Sequence, residues 1–225
     1  MTVLVATGLR KEAAILGGPG VTVVAGGGDG ARLERELEAA VADATMVLSC
    51  GLAGALAPGL KAGDLVLGER FPGESRGTDV VEMLREQLAG AHIGSIIGSD
   101  TIVASVAEKQ ALYAETNALA VDMESHIAAR VAARHGLPFA IVRAISDTAD
   151  HTLPPAALVG MRPDGSMALG AVLASLARNP GQLPALIRTG SDAGRAFAAL
   201  RRVRDVLGRL GVGLADDLQF PLDMR

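Results

Sequence analysis

The chain alternates short, wholly apolar runs with longer stretches in which apolar residues recur every three or four positions. Residues 3–6 form the first run and stop at Thr7-Gly8, and residues 21–25 form the second and stop at Gly26-Gly27-Gly28. Runs this short, apolar throughout and ended by glycine, predict parallel strands buried on both faces. Leu33, Leu37, Ala40 and Val41 then share one helical face with Glu34, Arg35, Glu36 and Glu38 opposite, so a helix follows the second strand. Residues 46–50 predict a third strand that runs into a loop of small residues over 51–59, and Gly63-Asp64 turns into a fourth strand at 65–68. Further on the pattern predicts a helix over 80–88, a strand over 93–98, a helix over 106–115 and a strand over 118–121. A helix over 125–135 is closed by Gly136 and Pro138, and 139–145 is the most hydrophobic strand of the chain. Strands that alternate with helices in this way predict an α/β fold with a largely parallel sheet.

After Asp150 the character changes. Pro154-Pro155, Arg162-Pro163-Asp164-Gly165 and Asn179-Pro180-Gly181 punctuate the stretch around a helix over 167–176. Ala196, Phe197, Leu200, Val203, Leu207 and Leu210 then form an apolar stripe at helical spacing, with Arg195, Arg201, Arg202, Arg204 and Arg209 mostly off it. The expected organisation is one α/β domain over 1–178 and a C-terminal helical extension over 179–225 packed on the same domain. The arginine-flanked stripe has two readings: packing against the domain or a dimer partner, as amphipathic helices usually do, or peripheral contact with an anionic membrane.

Composition narrows the chemistry. The only aromatics are Phe71, Tyr113, Phe139, Phe197 and Phe220, so the core must be aliphatic. Glycine is in excess, 28 of 225 residues, which suggests tight turns and close backbone approach to a ligand. A net charge of −4 argues against a nucleic-acid partner. Cys50 is the only cysteine, which fits a reducing cytoplasm. Arg10 and Lys11 follow the first apolar run, the wrong order for a signal peptide, and no apolar run is long enough for a transmembrane helix.

Four polar clusters fall at the carboxyl ends of predicted strands, the edge where open α/β sheets bind ligands. In Thr7-Gly8-Leu9-Arg10-Lys11-Glu12, Glu12 reads as a general base or as a solvated acid in the first turn of a helix. Gly26 to Ala31 contains Gly-x-Gly-x-x-Ala, a weak dinucleotide fingerprint; it also suits a phosphate, or is a turn without a ligand. In Val121-Asp122-Met123-Glu124-Ser125, one carboxylate could accept from both hydroxyls of a ribose, while Asp122 also suits a helix N-cap. In Arg143-Ala-Ile-Ser146-Asp147-Thr-Ala-Asp150, a charged Arg143 inside an apolar run demands a buried partner, and the acids after it read as a site. The histidines show no metal-ligand spacing, and Ser49 sits in no Gly-x-Ser-x-Gly elbow, so neither a metal nor a serine nucleophile is expected.

The segments Val121-Asp-Met-Glu-Ser and Arg143-Ala-Ile-Ser-Asp-Thr-Ala-Asp150 resemble the paired signatures of the nucleoside phosphorylase/nucleosidase superfamily, and most closely its methylthioadenosine/adenosylhomocysteine nucleosidase branch. The stretch from Cys50 to Val66 resembles that family's glycine-rich loop and next strand, and Gly98-Ser99-Asp100 its loop before the base pocket. A narrower resemblance, carried by residues 121–131, 153–164 and 179–188, is to the hopanoid-associated phosphorylases, which are assigned to removing adenine from adenosylhopane. The fold implied is a three-layer α/β/α sandwich around a central mixed, largely parallel sheet, plus C-terminal helices. The activity implied is cleavage of a purine N-glycosidic bond, with methylthioadenosine or adenosylhomocysteine as the alternative substrate. A dinucleotide-binding oxidoreductase is the more distant alternative.

Carried across by residue, the resemblance implies that Asp147 protonates purine N7, oriented by Ser146, and that burial keeps its carboxyl protonated. Glu124 would bind the ribose hydroxyls with Met123 under the sugar, Arg143 would stabilise the site and Glu12 would activate the attacking water. Asp122, Asp100 and Gly51 belong to the implied substrate pocket. Ile102 stands where nucleosidases carry a stacking Phe, and Leu52 replaces a small polar residue of the glycine-rich loop. Gly27, Gly28 and Arg10 are the candidates for binding inorganic phosphate, should that rather than water be the nucleophile. No cofactor is implied. The implied partners are a small-molecule nucleoside, lipid-linked in the narrower reading, and a second copy of the chain in a homodimer or larger assembly. The implied location is the cytoplasm, at the inner membrane if the membrane reading holds.

Overall fold

The computed structural model describes residues 2–68, 78–160, 162 and 164–216. Its centre is an eight-stranded sheet: β1 (Val3–Thr7), β2 (Val21–Ala25), β3 (Met46–Ala55), β4 (Leu65–Gly68), β5 (His92–Gly94), β6 (Ile96–Gly98), β7 (Ala120–Asp122) and β8 (Phe139–Asp147). The order is β2-β1-β3-β8-β4-β5, with β7 joined to the far end of β3 and β6 joined to β7. Only β3–β7 and β4–β8 pair antiparallel; the other pairings are parallel. The expected mixed, mostly parallel sheet is therefore present.

Helices cover both faces. The first five are α1 (Arg10–Leu16), α2 (Gly30–Ala40), α3 (Thr78–Gln87), α4 (Val106–Thr116) and α5 (Ser125–Arg134). Later come α6 (Pro155–Leu158), α7 (Leu169–Arg178) and the long α8 (Leu183–Asp216). One core lies under α2 and α5, where Leu33, Leu37, Ile127 and Val131 meet Leu4, Val47 and Ile141. The other lies under α8, where Ala196, Leu200 and Val203 meet Val5, Leu48 and Val142. These three layers put the central strands β1, β3 and β8 between two apolar surfaces, while the edge strands β2 and β5 stay partly exposed.

Several expectations change. The loop expected over 51–59 is shorter, because β3 continues to Ala55 between β8 and β7. The run 93–98 breaks at Ser95 into two strands, since β5 pairs with β4 while β6 turns away to pair with β7. The apolar stripe on α8 is core rather than a membrane-facing surface: Ala196, Leu200 and Val203 are fully buried and the arginines beside them point to solvent. The Leu210 side chain and residues 217–225 of the expected extension lie outside the described residues, as do Phe71 and Phe220. Helix α6 had no counterpart in the sequence pattern.

Two irregularities shape the carboxyl edge of the sheet. In β8 opposite β3, Ala53 faces Ile145 but Gly54 faces Asp147, so Ser146 is an extra residue. A bulge of this kind re-aims the side chains that follow it. Gly54 lets the carboxylate lie close against the neighbouring strand, because a Cβ there would stand 3.0 Å from Asp147 Oδ2.

Candidate active site

Glu12 occupies the third position of α1, yet it is buried and its side chain curls back over the helix start. Oε2 accepts from Thr7 Oγ1 at 2.5 Å, Gly8 N at 2.9 Å and Leu9 N at 2.6 Å, while Oε1 accepts from Leu52 N at 2.9 Å. A carboxylate has about four acceptor sites, so the crowded Oε2 is spent and Oε1 keeps a lone pair. That oxygen faces Gly51, where a Cβ would lie 3.2 Å from Glu12 Oε1 and 2.8 Å from Arg143 Nη1. Glycine is what allows the carboxylate and the guanidinium to face the same small space.

The end of β7 supplies a second pair of acids. Asp122 Oδ1 accepts from Glu124 N and Ser125 N, capping α5, and its Oδ2 accepts from Arg143 Nε at 2.7 Å. Arg143 is fully buried, donates from Nη2 to Ser49 Oγ at 2.6 Å, and places Nη1 at 3.4 Å from Glu124 Oε2. Nη1 has no hydrogen-bond partner among the described residues. Burial would lower the Arg143 pKa, but Asp122, Glu124 and Glu12 outweigh it and the pKa is raised. Three carboxyl groups thus share one cation. Burial, opposed by Arg143 and reinforced by Asp122 and Glu12, pushes the Glu124 carboxyl up to about 8. Burial likewise pushes the Cys50 thiol up to about 12, which makes it inert.

A raised acid is a stability device with a definite sign. The folded protein holds the Glu124 proton that the unfolded chain releases near the ordinary value of 4.5. The contribution is complete below that value and is lost as pH rises through about 8. Glu124→Gln, which cannot ionise, is expected to melt about 3 °C or more above the parent at pH 8.5, with the gap closing at pH 5. Thermal melts at the two pH values check this, and a gap independent of pH would contradict it.

The third acid lies at the end of β8. Asp147 Oδ1 accepts from Ser146 Oγ at 2.8 Å, and the same hydroxyl lies 3.2 Å from Ala53 O. Asp147 Oδ2 accepts from Lys109 Nζ at 2.6 Å, and the ammonium also donates to the carbonyls of Thr148 and His151. The Lys109 side chain is wholly buried. Apolar surroundings alone were expected to act on Asp147, and here the structure differs: a fully coordinated cation holds it. No motif in the sequence marks Lys109. Its one signal is position, because α4 turns Val106, Lys109, Leu112 and Tyr113 inward together.

Glu12, Glu124 and Asp147 line one cavity of about 490 Å³. Met123, Leu52 and Ile102 form its walls beside the acids. An apolar arm continues past Leu153, Ala156, Met167, Leu186 and Phe197 on α6, α7, α8 and their connections. Among the described residues, no charged side chain lines this arm.

Residues 13–178 match the family model described as the phosphorylase superfamily. The chain belongs to that superfamily. A 5'-methylthioadenosine/S-adenosylhomocysteine nucleosidase of Staphylococcus aureus is 35% identical over 72 residues, which cover 32% of each chain. The aligned segment thus spans about a third of the length of that relative. In three dimensions the chain is similar to the nucleosidase of the same name from Helicobacter pylori, with a TM-score of 0.64 at 16% identity, covering 97% of this chain and 99% of that one. It is also similar to a futalosine hydrolase mutant from the same species, with a TM-score of 0.56 at 21% identity, covering 79% and 99%.

Within this phosphorylase-superfamily fold, several candidates fall outside the cavity. The Asp100 side chain is 91% exposed and pairs with His126 Nε2 at 3.0 Å. Arg10 is exposed and engaged by Asp164 through both its carboxylate and its carbonyl. Gly27 spends its N–H on the Gly8 carbonyl, Asp29 caps α2, and neither Gly27 nor Gly28 lines the cavity. The N–H groups of Gly8 and Leu9, which an anion would seek, are already taken by Glu12. The phosphate-binding and dinucleotide readings of these glycines therefore lose their geometric basis. Gly51 and Arg143 sit beneath the acids and position them, Asp122 reaches the cavity wall beside Glu124 while holding Arg143, and Thr7 joins them through Glu12.

Proposed function

We propose that the protein is a purine nucleosidase that releases adenine from an adenosine carrying a 5' substituent, with water as the nucleophile. The observation that carries the reading is the meeting of Asp147, Glu124 and Glu12 in one cavity over Arg143. A purine leaves poorly as an anion and well once N7 is protonated. As the C1'–N9 bond breaks, Asp147 relays to N7 a proton taken up from solvent with the purine, and the Lys109 ammonium 2.6 Å away stabilises the carboxylate on either side of the transfer. Glu124 accepts hydrogen bonds from the ribose hydroxyls. A water held by Arg143 Nη1 and the free lone pair of Glu12 Oε1 attacks C1' and gives its proton to Glu12. With Glu124 holding its proton near neutral pH, Glu12 and Asp122 still outnumber the Arg143 cation, and that surplus of negative charge disfavours a phosphate dianion and so favours hydrolysis over phosphorolysis. The nucleosidase names of the Staphylococcus aureus and Helicobacter pylori proteins support the same reading.

The apolar arm favours a second, narrower reading of the 5' group. It offers no charge to the amino and carboxylate groups of a homocysteine tail, and it suits an aliphatic substituent such as that of adenosylhopane. Each buried methylene is worth about 0.8 kcal/mol, so several together exceed a tenfold preference. The test is adenine release from methylthioadenosine, adenosylhomocysteine and an adenosine with a long aliphatic 5' chain, with and without phosphate. Adenine and a free sugar are expected at rates independent of phosphate, with kcat/KM at least about tenfold higher for the aliphatic substrate. Absence of adenine from every substrate would overturn the nucleosidase reading. Equal efficiencies would overturn only the narrower one.

A further inference from the structure

The large apolar side chains that remain exposed are concentrated in one region. Nine are exposed among the described residues, and Leu158, Val159, Met167, Leu169, Leu173, Leu183 and Ile187 all fall between positions 158 and 187. Helix α7 (Leu-Gly-Ala-Val-Leu-Ala-Ser-Leu-Ala-Arg) has no buried residue at all. Leu169 and Leu173, and Leu183 and Ile187, are each four apart and so share a face of their helix. The pieces are tied into one surface. Gln182 is buried between them, accepting from Ala156 N of α6 and donating to Ser175 O of α7 at 2.8 Å. An apolar surface of this kind on a folded chain marks an interaction site.

Charge says what covers it. From Gly165 to Ser191 the sequence has no acidic residue, and its charges are Arg178 and Arg188, both exposed; Arg188 stands 3.8 Å from the buried Asp192, and Arg178 has no ion pair among the described residues. This stands out in a chain whose net charge is −4. A second copy related by two-fold symmetry would bring the exposed Arg178 toward its own counterpart with no exposed carboxylate from the patch to meet it. An anionic bilayer satisfies both features, taking the leucines into its interface and the arginines at its headgroups. Met167 and Leu169 belong both to this surface and to the wall of the apolar arm, so the arm opens onto it.

We propose that the exposed apolar face of α6, α7 and the start of α8 docks on an anionic phospholipid bilayer, with the apolar arm of the cavity opening toward the lipid. The test is sedimentation of the full chain with phosphatidylglycerol or phosphatidylcholine vesicles, alongside L173E, I187E and R178Q. None of these three residues lines the cavity. Their exposure means that each variant should fold, which a melting curve verifies, and hydrolysis of a soluble nucleoside without vesicles is expected to be unchanged. The parent is expected to sediment with phosphatidylglycerol and at least about tenfold less with phosphatidylcholine. L173E and I187E are expected to lose about tenfold or more of the binding, and R178Q to lose part of the preference for the anionic lipid. A parent that stays in the supernatant with both vesicles would overturn the proposal, as would L173E and I187E variants that bind as well as the parent. A parent that light scattering shows to be a dimer split by L173E would overturn it in favour of a second copy. None of these results bears on whether adenine is released, so the two proposals fail separately.

Discussion

Asp147→Asn is expected to lower kcat about a thousandfold with KM changed only a few-fold, because general acid catalysis contributes about 10² to 10⁴ and the amide cannot deliver the proton. The variant also leaves the buried Lys109 ammonium without its carboxylate, so it is expected to melt below the parent. The two effects separate in a double variant. Asp147→Asn with Lys109→Met removes both charges, and stability is expected to recover toward the parent while activity stays low. Lys109→Met alone is expected to lose activity about tenfold or more with Asp147 still present, since the charge that stabilises the departing proton's carboxylate is gone. Steady-state kinetics with melting curves on the three variants decide it. A Lys109→Met enzyme with full activity would reduce Lys109 to a packing group.

Arg143→Leu is expected to be the most destabilising single change in the molecule. Arg143 is wholly buried and holds Asp122 at 2.7 Å, and removing it strands that carboxylate and leaves Glu124 facing two other acids. Breaking a buried pair on one side costs about 3 to 5 kcal/mol, against a total stability of about 5 to 15 kcal/mol for a typical domain. For a chain of this size that is a fall in Tm of roughly 6 to 20 °C. Urea unfolding at pH 7 measures it. A loss below about 1 kcal/mol would show that Asp122 finds other partners.

The sheet was legible because its central strands are buried on both faces, which leaves continuous apolar runs in the sequence. Legibility failed where pairing, not composition, decides the structure. Residues 51–55 are small and look like a loop, but β3 carries them between β8 and β7, where small side chains are the ones that fit beside Glu12 and Asp147. Residues 93–98 read as one strand although Gly94-Ser95 interrupts the apolar residues, and the different neighbours of β5 and β6 divide it there.

The acids of the site were legible because they follow strands directly, and Arg143 because a charge inside an apolar run needs an explanation. Lys109 was not, since its partner lies 38 residues away and a lone lysine on a helix ordinarily faces water. The sequence offers Glu12 as a candidate base, but Leu9 before the helix gives no capping signal, so its four-donor cradle is visible only in three dimensions. Arg10 and the Gly26–Gly28 turn were misjudged for a related reason. Sequence shows which groups could bind an anion, but not that Asp164 and the Gly8 carbonyl already engage Arg10 and the Gly27 N–H.

A single-turnover reaction in ¹⁸O-labelled water with phosphate present, followed by mass spectrometry of the sugar product, reads the central chemistry directly. One labelled oxygen at C1' and stoichiometric adenine are predicted by the proposal that the Arg143–Glu12 space takes water and repels a dianion. An unlabelled ribosyl phosphate, or intact nucleoside after long incubation, would contradict that account.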